Sequence, residues 1–106
     1  MKKLPLIAFA LCFLGLGLES KAQEFPDDIK PLMQKYTCIA CHKVDARLVG
    51  PAYTDVAKKK YSVDKIIQLI ANPVPSNWPG YPPMAAIKNV PKADAVKIAK
   101  WINSLK

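Results

Sequence analysis

The chain lacks several features on which small domains commonly depend. Its 106 residues contain three cysteines and one histidine, too few for a framework of several disulfides. No segment alternates in the manner of a β-strand, and no internal repeat is present. No basic motif interleaved with aromatic residues points to nucleic-acid binding. Acidic residues number 8 against 16 lysines and arginines, so the formal net charge is +8.

The N-terminus has the layout of a secretory signal peptide. Two lysines precede an apolar run (residues 4–18), and the tripeptide 20–22 has small residues at both ends, as at a cleavage site. The apolar run is shorter than the roughly 20 residues that span a bilayer. We therefore expect a signal peptide over residues 1–22, cleaved after Ala22, and a mature domain over 23–106. The mature protein is expected in the periplasm or otherwise exported, without stable membrane insertion.

Removal of the signal peptide leaves Cys38 and Cys41 as the only cysteines. A disulfide between them would close too short a loop to constrain the fold. Small domains bury little of their surface and usually need a metal, a cofactor or several disulfides for stability. We therefore expect a large apolar cofactor to fill part of the core.

Apolar periodicity predicts four helices and an all-α fold. The predicted helices span residues 28–36, 53–60, 63–72 and 92–105. Asp27 or Asp28 is expected to cap the first helix. Ser62 is expected to cap the third, which Pro73 ends.

A proline-rich segment, residues 73–91, separates the third and fourth predicted helices. Six of the ten prolines lie in it, so neither helix nor sheet can persist there. Its apolar side chains, among them Trp78, Tyr81 and Met84, are too many for a solvated linker. We expect this segment to pack against the rest of the domain and to have a function.

The motif that carries the chemistry is Cys38-Ile39-Ala40-Cys41-His42. C-x-x-C-H is the attachment signature of haem c. On a helical turn, positions three and four apart share one face, so both thiols and the imidazole point the same way. Cys38 and Cys41 are then expected to bind the haem vinyl groups as thioethers, with His42 as an axial iron ligand.

Other interpretations of the motif fit less well. A thioredoxin-like C-x-x-C needs β–α–β alternation nearby, which this chain does not have. A zinc site needs four nitrogen or sulfur ligands, and the mature chain offers three. A plain disulfide leaves the adjacent histidine unexplained.

Over nearly the whole mature chain, the sequence resembles the small bacterial class I cytochromes c. The resemblance rests on C-I-A-C-H, on V-G-P-A-Y-T-D-V-A-K-K-K-Y at 49–61, on Trp-Pro-Gly at 78–80, on Pro83-Met84 and on A-K-W-I-N-S-L at 99–105. It implies the class I cytochrome c fold, with three to four helices wrapped around one covalent haem c. The first and last helices would cross near the chain ends.

The resemblance also implies further site residues. Met84 would be the second axial ligand; the two prolines before it fix an extended backbone, and a thioether ligand raises the reduction potential. Met33, by contrast, lies on the apolar stripe of the first helix and is expected in the core. After Gly50, the carbonyl of Pro51 would accept a hydrogen bond from His42 Nδ1, although a simple turn would also explain Gly50-Pro51.

The sequence leaves the roles of several other residues undecided. Trp78 would hydrogen-bond a haem propionate, or another acceptor if it is buried elsewhere. Tyr36 and Tyr53 could line the haem or the helix contacts. The sequence departs from the family pattern after Met84, so no side chain is identified that bonds its sulfur, and Asn89 is only a candidate.

The predicted function is that of a soluble one-electron carrier between redox proteins, not an enzyme. Lysines around an exposed haem edge would steer it to acidic docking surfaces on its electron donor and acceptor. Two alternatives remain: a haem subunit of a larger oxidoreductase complex, and a five-coordinate haem protein that binds a gas or peroxide. Ligand binding by the reduced protein separates the last of these from a carrier.

Overall fold

A computed structural model describes residues 22–105, where the chain forms four α-helices and no β-strand. The predicted signal peptide, except its last residue, lies outside these residues. The helices are α1 (Lys30–Lys35), α2 (Tyr53–Lys58), α3 (Val63–Ala71) and α4 (Lys92–Ser104). Short 3-10 turns form at Cys38–Ala40 and Pro75–Asn77. The predicted all-α class is confirmed, and none of the described helices has the length and hydropathy to cross a membrane.

Helix α1 starts two residues later than predicted. The residue before it is Ile29, and no side chain caps the helix, so the expectation that Asp27 or Asp28 caps it is wrong. A backbone turn takes that role, since the N–H groups of Ile29 and Lys30 donate to the carbonyl of Pro26 at 3.0 and 2.8 Å. Because Pro26 supplies this acceptor, the free N–H groups of the first turn need no carboxylate.

The boundaries of α3 follow their sequence signals closely, whereas α2 is shorter than predicted. Ser62 Oγ accepts a hydrogen bond from the N–H of Lys65 at 3.0 Å, as predicted for the cap of α3. The helix ends at Ala71, two residues before Pro73. Helix α2 ends at Lys58, earlier than predicted, because Lys60 adopts a left-handed conformation with φ of 57°, which no right-handed helix can include.

The core lies between α1, α4 and the inner faces of α2 and α3. It consists of buried apolar side chains from all four helices and their flanks, namely Ile29, Met33, Tyr36, Tyr53, Ile66, Ile98, Ala99 and Ile102. Met33 is fully buried, as predicted. The hydroxyl of Tyr36 donates to Asp94 Oδ2 at 2.5 Å, which joins the end of α1 to the first turn of α4. The open question about Tyr36 is thereby resolved in favour of the helix contact.

The proline-rich segment folds back onto the C-terminal end of α3. The N–H of Ile87 donates to the carbonyl of Ile70 at 3.0 Å, and Lys88 Nζ donates to Asn72 Oδ1 at 3.1 Å. The expectation that this segment packs against the domain is confirmed. It thereby forms a wall that faces the C-x-x-C-H turn across a cavity.

Candidate cofactor site

The C-x-x-C-H motif forms a helical turn shortly after α1. The N–H groups of Cys41 and His42 both donate to the carbonyl of Cys38, at 3.2 and 3.0 Å. These bonds place side chains three and four positions apart on one face. Cys38, Cys41 and His42 all line the same cavity, so the predicted helical turn is confirmed.

A left-handed residue joins α1 to the motif. Thr37 has φ of 61° and ψ of 19°, a conformation that is costly for a β-branched side chain. Its hydroxyl donates to the carbonyl of Tyr36 at 2.6 Å. The left-handed conformation of Thr37 changes the direction of the chain between the end of α1 and the start of the motif at Cys38.

His42 is buried, with 8% of its surface exposed, and its ring is held by the backbone. Nδ1 lies 2.8 Å from the carbonyl oxygen of Pro51. A carbonyl can only accept, so Nδ1 carries the proton and the lone pair of Nε2 remains free. Burial lowers the pKa of His42, opposed by its hydrogen bond to Pro51. The imidazole is thus kept neutral, the form in which histidine binds a metal.

Gly50 allows the chain to pass closely over the imidazole. A Cβ atom at this position would lie 2.7 Å from Cε1 and 3.0 Å from Nδ1 of His42. The N–H of Gly50 also donates to the carbonyl of Cys41 at 2.8 Å. Glycine is therefore required here by the approach of the backbone to the ring.

Tyr53 supports the imidazole on one face. The two rings are stacked, with centroids 4.6 Å apart and planes 28° apart. Phe25 and Trp101 contact the Tyr53 ring edge to face, at 6.1 and 5.4 Å. Burial raises the pKa of Tyr53 well above its usual value, so the phenol stays neutral. Tyr53 therefore meets both expectations, since it lines the cavity and packs against Trp101 of α4.

The thiols of Cys38 and Cys41 are less buried than the His42 ring. Cys38 is half-buried and Cys41 is exposed, and both are free thiols. Burial raises the pKa of Cys38, which favours the protonated thiol. Both cysteines line the cavity, so a group seated there lies within reach of both sulfur atoms.

The proline-rich segment supplies the other wall of the cavity. Met84 lines it, with 40% of its surface exposed, and so do Val74 and Trp78. Within residues 22–105, no group accepts a hydrogen bond from the Trp78 indole N–H. Asn77 also lines the cavity, whereas Asn89 does not. No sequence signal distinguished these two asparagines.

All seven residues predicted for the site line one cavity of about 350 Å³. These are Cys38, Cys41, His42, Gly50, Pro51, Trp78 and Met84. The remaining lining is mostly aliphatic, aromatic or proline, which suits a large, flat apolar group. Within the described residues no cluster of three or more His, Cys, Asp or Glu is placed to hold a bare metal ion.

Two thiols and an imidazole on one turn, with a thioether on the facing segment, form a donor set that fits haem c. The structure and this donor set define a c-type cytochrome with a single haem site.

The chain is 42% identical to cytochrome c-552 of Hydrogenobacter thermophilus, over the whole of both proteins. It is 39% identical to cytochrome c-552 of Nitrosomonas europaea, over 71% of this chain and 76% of that protein. The crystal structure of wild-type Nitrosomonas europaea cytochrome c552 superposes with a TM-score of 0.66 at 37% identity, covering 73% of this chain and 99% of that one. No protein-family model matches the chain.

The chain belongs to the class I monohaem cytochromes c. Its cofactor is one covalently attached haem c, and it acts as a one-electron carrier with redox partners. The predicted fold, family, cofactor and main function are confirmed.

Proposed function

We propose that Cys38 and Cys41 bind the haem covalently, that His42 and Met84 are its axial ligands, and that the mature protein carries electrons in the periplasm without being an enzyme. The observation that carries this proposal is the convergence of these four side chains on one apolar cavity. When bound, haem supplies an iron that gains and loses one electron.

Cys38 and Cys41 would each hold the haem through a thioether bond to one of its vinyl groups. This attachment needs both cysteines in the reduced form, and no disulfide joins Cys38 to Cys41. The two cysteines are three positions apart on a helical turn, with two residues between them, which matches two attachment points on one edge of a porphyrin. The two bonds prevent loss of the cofactor.

His42 binds iron through Nε2, because Nδ1 is engaged by Pro51. The hydrogen bond fixes the tautomer and makes the imidazole a stronger electron donor. The stacked ring of Tyr53 and the close backbone of Gly50 limit rotation of the imidazole. These contacts fix the orientation of the imidazole.

Met84 completes the coordination from the proline-rich segment, and a thioether at this position favours the reduced iron. Trp78 donates its indole N–H to a propionate, a role supported by its position on the cavity wall. With both axial positions filled by protein, no coordination site remains for a substrate. Electrons therefore pass through the haem edge alone.

Export and partner choice complete the proposal. Residues 1–22 are removed, and Gln23 becomes the N-terminal residue. The nitrogen of Gln23 lies 3.0 Å from Asp45 Oδ2, so its new ammonium group would meet a carboxylate. The net positive charge, with Lys59 beside Trp78 at the cavity, favours partners that present acidic surfaces.

The test is intact mass spectrometry of the exported protein and its variants. Wild type is expected to begin at Gln23 and to retain one haem after denaturation. Cys38→Ala and Cys41→Ala are expected to retain haem through one thioether, and the double variant to release it. Met84→Ala is expected to keep covalent haem but to bind carbon monoxide when reduced. Covalent haem in the double cysteine variant would contradict the attachment sites.

A further inference from the structure

Arg47 contacts the proline-rich segment at two points. Its guanidinium carbon lies 3.9 Å from the centroid of the Tyr81 ring. Its Nη2 atom donates to the carbonyl of Gly80 at 2.8 Å. The planar guanidinium can satisfy both contacts at once, since it stacks on a ring with its face and donates along its edge.

Lys59 makes a similar pair of contacts from a different part of the chain. Its Nζ atom lies 4.6 Å from the centroid of the Trp78 ring and donates to the carbonyl of Asn77 at 3.2 Å. Lys59 directly follows α2, whereas Arg47 lies between the motif and Gly50. Two separate elements therefore hold the same short stretch of the segment.

The two contacts converge because the aromatic rings touch. Trp78 and Tyr81 pack edge to face, with centroids 5.8 Å apart and planes 85° apart. We call Arg47, Lys59, Trp78 and Tyr81 the cation clamp. Each cation–π contact at an exposed site stabilises by about 0.5–1 kcal/mol, and here each is reinforced by a hydrogen bond from the same cation.

The clamp is coupled to Met84 through a stiff connection. Only Pro82 and Pro83 lie between Tyr81 and Met84, and their ring closure fixes φ at both positions. Beyond Met84, the next backbone anchor is the hydrogen bond from Ile87 to Ile70. In the described part of the chain, no backbone hydrogen bond anchors residues 82–86. The position of Met84 is thus determined by the clamp on one side and by α3 on the other.

We propose that Arg47 and Lys59 are positioning residues that hold Met84 on the haem iron, so that the clamp sets how readily another ligand displaces it. The inference rests on the proposed ligation by Met84. It assigns a function to two cations that would otherwise count as solvated surface charges. Neither residue touches the iron, and both act through the Trp78–Tyr81 pair.

The test is the affinity of the ferric holoprotein for imidazole, a neutral ligand that competes with Met84. Arg47→Gln and Lys59→Gln are each expected to bind imidazole about two- to five-fold more tightly than wild type, which is the equilibrium factor of one cation–π contact. The double variant is expected to show the larger combined effect. The methionine–iron charge-transfer band is expected to weaken in the same order.

Three controls separate positioning from charge and from overall stability. Lys65→Gln removes an equal charge from α3, where the side chain makes no contact with the clamp, and is expected to match wild type. Ile29→Val lowers stability through a small core cavity distant from Met84, and is also expected to match wild type. Arg47→Lys keeps the charge, but an ammonium group cannot both stack on the Tyr81 ring and donate along a planar edge. An affinity for imidazole between those of wild type and Arg47→Gln is therefore expected.

The outcomes separate the clamp from the ligation on which it rests. If Met84→Ala binds imidazole far more tightly than wild type while both clamp variants match Lys65→Gln, the clamp is overturned and the ligation stands. If Met84→Ala binds imidazole no more tightly than wild type, Met84 is not the ligand and both proposals are overturned.

Discussion

The imidazole of His42 is stacked on the phenol of Tyr53, with ring centroids 4.6 Å apart. Phe25, just beyond the predicted cleavage site, and Trp101, on α4, pack against the other surfaces of Tyr53. An aromatic cluster built from both ends of the domain therefore lies behind the proposed iron ligand. The same contacts of Tyr53 therefore stabilise the domain and orient the ligand.

Replacement of Tyr53 tests this relationship. Tyr53→Phe keeps the ring and is expected to leave the free energy of unfolding and the haem spectrum nearly unchanged. Tyr53→Leu loses the aromatic contacts and is expected to lower the free energy of unfolding by about 1–3 kcal/mol, since each aromatic pair adds about 0.5–1.5 kcal/mol. Denaturant titration of both holoproteins is the measurement. Equal effects of the two substitutions would contradict a role for ring stacking.

Gly50→Ala is expected to damage the site through a direct clash. The new Cβ would lie 2.7 Å from His42 Cε1, so either the imidazole or the backbone must move. Overpacking of this kind costs about 1–3 kcal/mol, and a shifted imidazole changes the Soret spectrum as well. Denaturant titration and absorption spectra check both effects. A variant with the spectrum and stability of wild type would contradict the close approach.

Thr37→Gly is expected to stabilise the protein. Thr37 has φ of 61°, where a residue with a Cβ pays about 1–2 kcal/mol that glycine avoids. Glycine gives back part of this gain through its larger entropy in the unfolded chain. The net expectation is a rise of about 0.5–1 kcal/mol in the free energy of unfolding. A decrease would mean that the Thr37 hydroxyl bond to Tyr36 outweighs the backbone strain.

The bond between Tyr36 and Asp94 predicts a change of stability at high pH. The hydrogen bond to Asp94, with burial and the nearby negative charge, raises the pKa of Tyr36 to about 12 from a usual value of 10.0. The folded state thus holds the phenol proton more tightly than the unfolded state. Its contribution to stability is fully present below pH 10.0 and is lost as the pH rises through about 12.

The measurement is the difference in unfolding free energy between wild type and Tyr36→Phe across this pH range. All other ionisable groups are the same in both proteins, so their effects on stability cancel in the difference. Wild type is expected to lose its advantage over the variant between these two pH values. A difference that stays constant with pH would contradict the bond.

Much of the fold follows from local signals in the sequence. Ser62 and Pro73 bound α3 because a hydroxyl cap and a residue without an N–H act on the adjacent backbone alone. The start of α1 could not be predicted in this way, since the carbonyl of Pro26 satisfies the N–H groups for which Asp27 and Asp28 were expected. When a sequence offers both an acidic side chain and a backbone carbonyl that could cap a helix, it does not show which of the two is used.

The residues of the site also differ in how far the sequence identifies them. C-x-x-C-H and Pro83-Met84 carry enough local chemistry to identify candidate ligands from the sequence. The stack of Tyr53 on His42 and the contacts of Arg47 and Lys59 join residues distant in the chain. The sequence indicates only that Lys58, Lys59 and Lys60 are surface residues, yet of these three only Lys59 contacts the Trp78 ring in the described structure. Such contacts depend on packing, which periodicity does not determine.

Binding of the iron by both His42 and Met84 is the proposal on which the assignment of an electron carrier depends most. The most direct test is absorption spectroscopy of the purified, exported protein, oxidised and reduced, with and without carbon monoxide. We expect a low-spin spectrum with a methionine–iron charge-transfer band in the oxidised form, and a spectrum of the reduced form that carbon monoxide does not change. A high-spin spectrum, or one that shifts on addition of carbon monoxide, would contradict it and indicate a protein that binds a gas or peroxide.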